Sequence, residues 1–305
     1  MFFKELPKNS FHPALKNSGF KMDGYYVWCS SVIKEGDTFY MFAARWPMEK
    51  KFPNGYLTDS EIVLATSDSL ERPFTFKKVI ISKRDGGYWD SVMAHNPSII
   101  KIGDEFVLYY IGSPDGGVEN RAIGYATAKS LDGEWVRSDK PIALPKDANN
   151  PAPLIDKDGS ILLYYRDGRL KVSVARADKY DGEYEILKYD IFPNGMVEDM
   201  FVYRTEDGYE IVAEDAGGAY TGLAKAGVHF LSKNGIDYLP HEVPLVYGYD
   251  VEYDDGTKIE LARRERPMLI EEDGKLYLFN GAKLGGETRL TGGITWSMVQ
   301  EFKFD

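Results

Sequence analysis

The 305 residues carry 48 acidic and 37 basic side chains, a formal charge of −11 that repels nucleic-acid phosphates and anionic membranes, with no basic stripe to offset it. One cysteine, Cys29, excludes an internal disulfide. The composition, 43% hydrophobic and 14% aromatic, suits packed sheets and also sugar-stacking surfaces.

The chain begins Met1-Phe2-Phe3-Lys4-Glu5-Leu6-Pro7, without an apolar signal core, and no later run approaches membrane-spanning length. A cytoplasmic location is the expectation, although a secreted chain trimmed of its signal would read the same. From Cys29 onward one pattern recurs five times: a polar-then-apolar run, an acidic or glycine turn, and a second apolar strand. The copies open at Cys29-Ser30-Ser31, His95-Asn96-Pro97, Asn150-Pro151-Ala152, Glu198-Asp199-Met200 and Glu265-Arg266-Pro267. Their turns are Gly36-Asp37, Gly103-Asp104, Asp158-Gly159, Asp207-Gly208 and Asp273-Gly274, all hairpin formers. Each hairpin precedes outer segments such as Ile62–Ser67, Ala122–Thr127, Lys171–Arg176, Ala226–Ser232 and Gly293–Ser297. Repeated hairpins predict an all-β, five-bladed β-propeller with four-stranded antiparallel blades around a central funnel, one domain over 1–305. The segment from Met1 to about Phe20 must cap the disc or add a closing strand.

A propeller concentrates the start of every inner strand around one axis. There the sequence puts Trp28, His95, Asn150, Asp199 and Glu265, with Asp23 and Asp90 each five residues upstream of the first two. Carboxylates crowded at an axis are costly unless they act. Glu198-Asp199 is one candidate pair, and period-two geometry sends one side chain into the funnel and the other against a neighbouring strand. Asp90 follows Tyr88-Trp89 and reads as a base beside a sugar platform. Glu214-Asp215 precedes the glycine-rich stretch Ala216–Gly222, which allows close approach of a ligand. His95-Asn96 and Glu265-Arg266 read as hydroxyl-binding pairs. Zinc-ligand spacing, nucleophile elbow, phosphate-cradling glycine loop and dinucleotide fingerprint are all absent from the sequence. Carboxylates remain, and two of them flanking a sugar can protonate a leaving oxygen and activate water.

The runs "VLATSDSLERPFTF", "GYATAKSLDGEW" and "NPSIIKIGDEFVLYY" resemble the five-bladed propeller glycosidases, notably glycoside hydrolase family 43 and its relatives in families 32, 68 and 117. The resemblance implies three acidic residues on different blades: a base or nucleophile, a general acid and a modulating carboxylate. It departs at Trp28-Cys29-Ser30, where family 43 opens its first strand with Asp, and at Asn150-Pro151, which lacks the expected third-unit acid. The expectation is an exo-acting, inverting glycosidase on small oligosaccharides. Asp90 would be base, Glu198 acid, and Asp199 or Asp215 modulator. Asp23, Trp28, Trp89, His95, Asn96, Glu265 and Arg266 would bind substrate. No cofactor is required, and the axis leaves room for a structural metal ion. Two alternatives stay open: a phosphorylase gathering Arg45, Arg166, Arg264, Arg266 and Lys283 around phosphate, and a non-catalytic sugar-binding propeller.

Overall fold

Period-two alternation interrupted by tight turns yields antiparallel hairpins, and hairpins whose two faces are both apolar must stack against others of their kind. A computed structural model, which describes residues 5–304, shows this arrangement as five sheets around an axis. The first blade is β1 (Tyr25–Glu35), β2 (Thr38–Pro47), β3 (Glu61–Ser67) and β4 (Thr75–Ile81). The second is β5 (Met93–Ile102), β6 (Glu105–Ser113), β7 (Ala122–Ala128) and β8 (Val136–Arg137). The third is β9 (Asn149–Ile155), β10 (Ile161–Arg166), β11 (Val172–Ala177) and β12 (Glu185–Lys188). The fourth is β13 (Val197–Arg204), β14 (Tyr209–Asp215), β15 (Ala226–Ser232) and β16 (Leu239–Tyr247). A small hairpin, β17 (Asp250–Glu252) with β18 (Lys258–Glu260), leads to the fifth blade: β19 (Arg263–Glu272), β20 (Lys275–Leu284) and β21 (Ile294–Glu301).

All five predicted turns join the first and second strands of their blades. In the last, Asp273 and Gly274 both have positive φ (51° and 76°), as a type I′ hairpin demands. The fifth blade has three regular strands, and the N-terminal segment lies beside β21 in the fourth position. Phe20 and Ser297 exchange backbone hydrogen bonds of 2.9 Å in both directions, and Phe11 bridges Phe302. The closing-strand alternative is therefore the one realised, and it covers the last sheet's edge. Five buried apolar clusters fill the wedges between neighbouring blades, for example Phe42, Leu64, Leu108 and Tyr110 between the first and second. Apolar side chains pack those wedges, and the inner strands β1, β5, β9, β13 and β19 lie side by side around the axis.

Each inner strand carries the same defect. Between Trp28 and Ser31, His95 and Ser98, Asn149 and Ala152, Glu198 and Phe201, and Glu265 and Met268, the ladder slips by one residue. The extra residue is left-handed in every case: Cys29 (φ 55°), Asn96 (54°), Asn150 (55°), Asp199 (55°) and Arg266 (58°). A β-bulge re-aims side chains. Here it turns two consecutive residues of each inner strand toward the funnel.

Candidate active site

The five left-handed residues form a polar ring on the axis. Cys29 Sγ donates to Asn96 Oδ1 (3.1 Å), Asn96 Nδ2 to Asn150 Oδ1 (2.8 Å), and Asn150 Nδ2 to Asp199 Oδ1 (2.7 Å). Arg266 completes it, with Nε 3.0 Å from Asp199 Oδ1 and Nη2 donating to Asn150 Oδ1 at 3.0 Å. Non-glycine residues at positive φ cost of order 1–3 kcal/mol each. Their strain is sustained by blades that fix both flanks of every bulge. The residues immediately before them, Trp28, His95, Asn149, Glu198 and Glu265, form a second tier that lines a cavity of about 140 Å³.

Acids and aromatics divide between the two sides of this cavity. On one side Trp28, Trp46, Phe52 and Tyr56 make a wall; Phe52 stacks on Trp46 (5.7 Å) and meets Trp28 edge-on (5.2 Å). Trp28 lies flat over Gly281 of β20, where an added Cβ would sit 2.9 Å from the indole. On the other side Glu198, Asp199 and Glu265 face the cavity, and Glu214 lies directly behind. Asp199, Glu214 and Glu265 bring carboxylate oxygens within 4.8 Å of one another. Burial pushes Asp199 up to about 6, with Glu198 and Glu265 adding to the shift while Arg266 and Lys225 oppose it. Burial, then the charges of Glu265 and Asp199, raise Glu214 well above the usual carboxylate range.

Those oxygens are spaced as a cation site would space them, but cations are already built in. Arg263 chelates Glu265, Arg266 pairs with Asp199, and Lys225 reaches Glu214 (2.6 Å) and Glu265 (3.6 Å). The group is a charge-balanced cluster, and Arg266 already puts a positive charge into the axial ring. Arg166 pairs with Glu198 (3.0 Å), and Arg121 with Asp147 (2.8 Å) while donating to Tyr56 Oη. His95 stacks on Tyr56 (4.6 Å) and bonds Ser60 Oγ through Nδ1 (2.8 Å). Burial, helped by Arg266 and Arg121, drives its pKa well down and favours the neutral imidazole.

Of the residues expected from sequence, the cavity gathers Trp28, His95, Asn96, Glu198, Asp199, Glu265 and Arg266. Five go elsewhere, each for a visible reason. Asp90 is wholly buried inside the second blade, where Arg84 holds one oxygen, Tyr110 Oη donates to the other (2.7 Å) and Arg137 stands 3.6 Å away. It is a structural ion pair with no face on the cavity, which corrects its expected role as base. Trp89 packs at a tilt on Tyr110 (5.0 Å) and donates from its indole to Ser138 O, within the wedge between blades one and two. Asp215 accepts four hydrogen bonds, from the backbone of Ala219, Tyr220 and Thr221 and from Thr221 Oγ1, and so pins the glycine-rich loop. Asp23 is exposed in the turn before β1. Tyr88 sits on the surface under the Arg84 guanidinium.

The cations of the phosphorylase alternative also disperse. Arg166 and Arg266 reach the cavity, both ion-paired. Arg45 is bound to Glu61. Arg264 is buried between Phe11 and Tyr247, and Lys283 caps backbone carbonyls of Gly285 and Thr288. Sequence reasoning passed over Trp46, Phe52, Tyr56, Arg121, Arg263 and Lys225. The only local signal was the run Arg263-Arg264-Glu265-Arg266, whose alternation places Arg263 and Glu265 on one face.

No protein-family model matches the sequence, and no curated protein matches it either. Solved structures do match, over nearly the whole length. A structure titled glycoside hydrolase superposes with a TM-score of 0.74 at 18% identity, covering 98% of this chain and 93% of that one. A family 117 glycoside hydrolase produced by the marine bacterium Zobellia galactanivorans gives 0.70 at 15%, covering 98% and 92%. A GH43 β-xylosidase/α-arabinofuranosidase from a compost microbial metagenome, in complex with xylotriose, gives 0.67 at 14%, covering 98% and 96%. At such identities the likeness is one of fold.

Proposed function

We propose that the protein is an exo-acting glycosidase that hydrolyses a terminal sugar unit, with Glu198 as proton donor, Glu265 as base and Asp199 as the modulating carboxyl. The observation that carries this reading is the meeting of carboxylates from two blades across a small cavity with an aromatic wall. Side-chain exposure is 26% for Glu198 against 7% for Asp199, 3% for Glu265 and 1% for Glu214. Glu198 is therefore the carboxyl best placed to meet a glycosidic oxygen. Its proton goes to that oxygen as the bond to the anomeric carbon breaks. Water attacks the carbon and gives its proton to Glu265, whose charge is matched by Arg263. Asp199, with its raised pKa, stands between them. The reaction as written needs no cofactor. The cavity of about 140 Å³ is well under the roughly 300–1,000 Å³ of a drug-sized pocket, which favours one ring over an oligomer.

Inversion is the proposed course. Arg166 draws Glu198 toward the third blade while Arg263, on the same strand as Glu265, holds that carboxylate on the fifth, a separation in the sense inversion needs (about 6.5–9.5 Å between carboxyls). Xylosides and arabinofuranosides are the first substrates to try, following the GH43 structure it resembles. The test is a panel of aryl glycosides and natural oligosaccharides, with and without phosphate, followed by NMR of the first-formed anomer. Glu198→Gln and Glu265→Gln are each expected to lower kcat by about 100-fold or more; the thermal midpoint should stay nearly unchanged for the partly exposed Glu198 and should fall for Glu265, whose loss unpairs Arg263 inside the fold. Turnover preserved in either variant removes that residue from the mechanism, and a sugar phosphate as product replaces hydrolysis with phosphorolysis.

A further inference from the structure

Lys225 has no assigned part in this chemistry, yet the chain goes to some length to place it. It lies just before β15 with φ 63°, a left-handed conformation unusual for a lysine. Its backbone N donates to Asp215 O (2.6 Å), at the base of the loop that Asp215 holds with four hydrogen bonds. The residue before it, Ala224, accepts a hydrogen bond from Tyr249 Oη. The ammonium group thus arrives 2.6 Å from Glu214 and 3.6 Å from Glu265. Glu214 is buried behind Glu265 and does not reach the cavity.

We propose that Lys225 is a positioning residue for Glu265: anchored by Glu214 and presented by the Asp215 loop, its ammonium fixes the orientation and charge of the carboxylate that faces substrate. The proposal rests on the reading of Glu265 as the reacting carboxylate. Other charged groups face the same spot: Glu198 and Asp199 from β13, Arg263 and Arg266 from β19, with Tyr247 and Tyr249 from β16 and just beyond. Three further acids there compete for positive charge. Arg263 alone holds Glu265 from one side, and Lys225 supplies the second contact. Burial works against the charge on Lys225, but Glu265 and Glu214 outweigh it and hold the ammonium protonated beyond its usual range.

The test uses the full chain labelled with 13C at glutamate side-chain carboxyls, the Glu265 resonance being identified by its loss in E265Q. In K225M and in K225Q the pH midpoint of that resonance should lie roughly one unit or more above that of the unaltered chain, as expected on removing a cation 3.6 Å away. K225R should restore it. On whichever aryl glycoside the panel finds, K225M should lower kcat at least about tenfold with little change in KM, and its acid limb should move with the resonance. A Glu265 midpoint within about 0.3 unit of the unaltered chain in both neutral variants overturns the proposal, whatever happens to activity. Full activity in E265Q removes Glu265 as the reacting carboxylate instead, and leaves the resonance measurement to decide the contact itself.

Discussion

Asp90 offers the sharpest separation between a carboxylate that reacts and one that supports. Asp90→Asn keeps the shape and an acceptor for Tyr110 but removes the charge that neutralises Arg84 and Arg137. Breaking a buried ion pair from one side costs about 3–5 kcal/mol. Arg84 and Arg137 retain 18% and 17% side-chain exposure, so water relieves part of the loss and the lower end, about 3 kcal/mol, is expected. With an unfolding entropy of about 2.1 cal/mol/K per residue, a chain of this length carries roughly 0.6 kcal/mol/K. The thermal midpoint should then fall by roughly 5 °C. Circular dichroism melts report that shift, and turnover measured well below the transition reports the chemistry. The reasoning is refuted if the folded variant loses catalysis by about 100-fold, the mark of a catalytic base, or if it melts with the unaltered protein.

Other expectations follow from the same geometry. Asp199 has its folded pKa raised from 3.8 to about 6, so the folded state holds its proton more tightly than the unfolded chain does. Stability from this group is complete below pH 4 and lost as pH rises toward 6; two units correspond to roughly 3 kcal/mol. Denaturant titrations between pH 4 and 7 should show that decline in the unaltered chain and a flatter curve in Asp199→Asn, and equal slopes would contradict the assignment. Gly124→Ala would bring a methyl 2.2 Å from the Trp89 ring, so it should cost about 1–3 kcal/mol without touching the cavity. A neutral effect in chemical denaturation would show that Trp89 is free to move.

The repeat was legible because hairpin chemistry is local. Asp-Gly and Gly-Asp pairs at fixed spacing mark turns wherever they fall, and the five copies gave the blade number before any packing was considered. The third and fourth strands were less plain. β8 has only two residues, Val136 and Arg137, and the four-stranded expectation did not locate β16 along the chain. Site residues were legible only to within one position. Strict alternation sends Glu198 and Asp199 to opposite faces, and the bulge cancels that rule by inserting a left-handed residue in mid-strand. A left-handed asparagine or aspartate leaves a faint trace in sequence; a left-handed Cys29 or Arg266 leaves none. Asp90 misled for a related reason. Its place five residues before His95 is a fact of sequence, but three partners far along the chain or across the blade determine where the carboxylate points.

The same bulge explains why chemistry can sit in blades four and five while blades one to three carry neutral residues. Every blade presents two residues to the axis by identical backbone geometry, so the scaffold is indifferent to which positions hold acids. Cys29, Asn96 and Asn150 fill the deep ring on three blades and pass hydrogen bonds toward Asp199. Their task is to satisfy one oxygen of a buried carboxylate without adding charge, which leaves Arg266 as the only cation in that ring and allows Asp199 to keep its raised pKa. An aspartate at Asn150 would put a second negative charge next to Asp199 and compete for Arg266. The aromatic wall has a mixed origin: Trp28 and Trp46 stand on β1 and β2, whereas Phe52, Pro53 and Tyr56 come from the connection between β2 and β3, outside the repeat. Strands thus fix the carboxylates and two indoles of the wall, while one loop completes the wall beside them. Changes in residues 48–60 can reshape the cavity without disturbing the carboxylates on the strands.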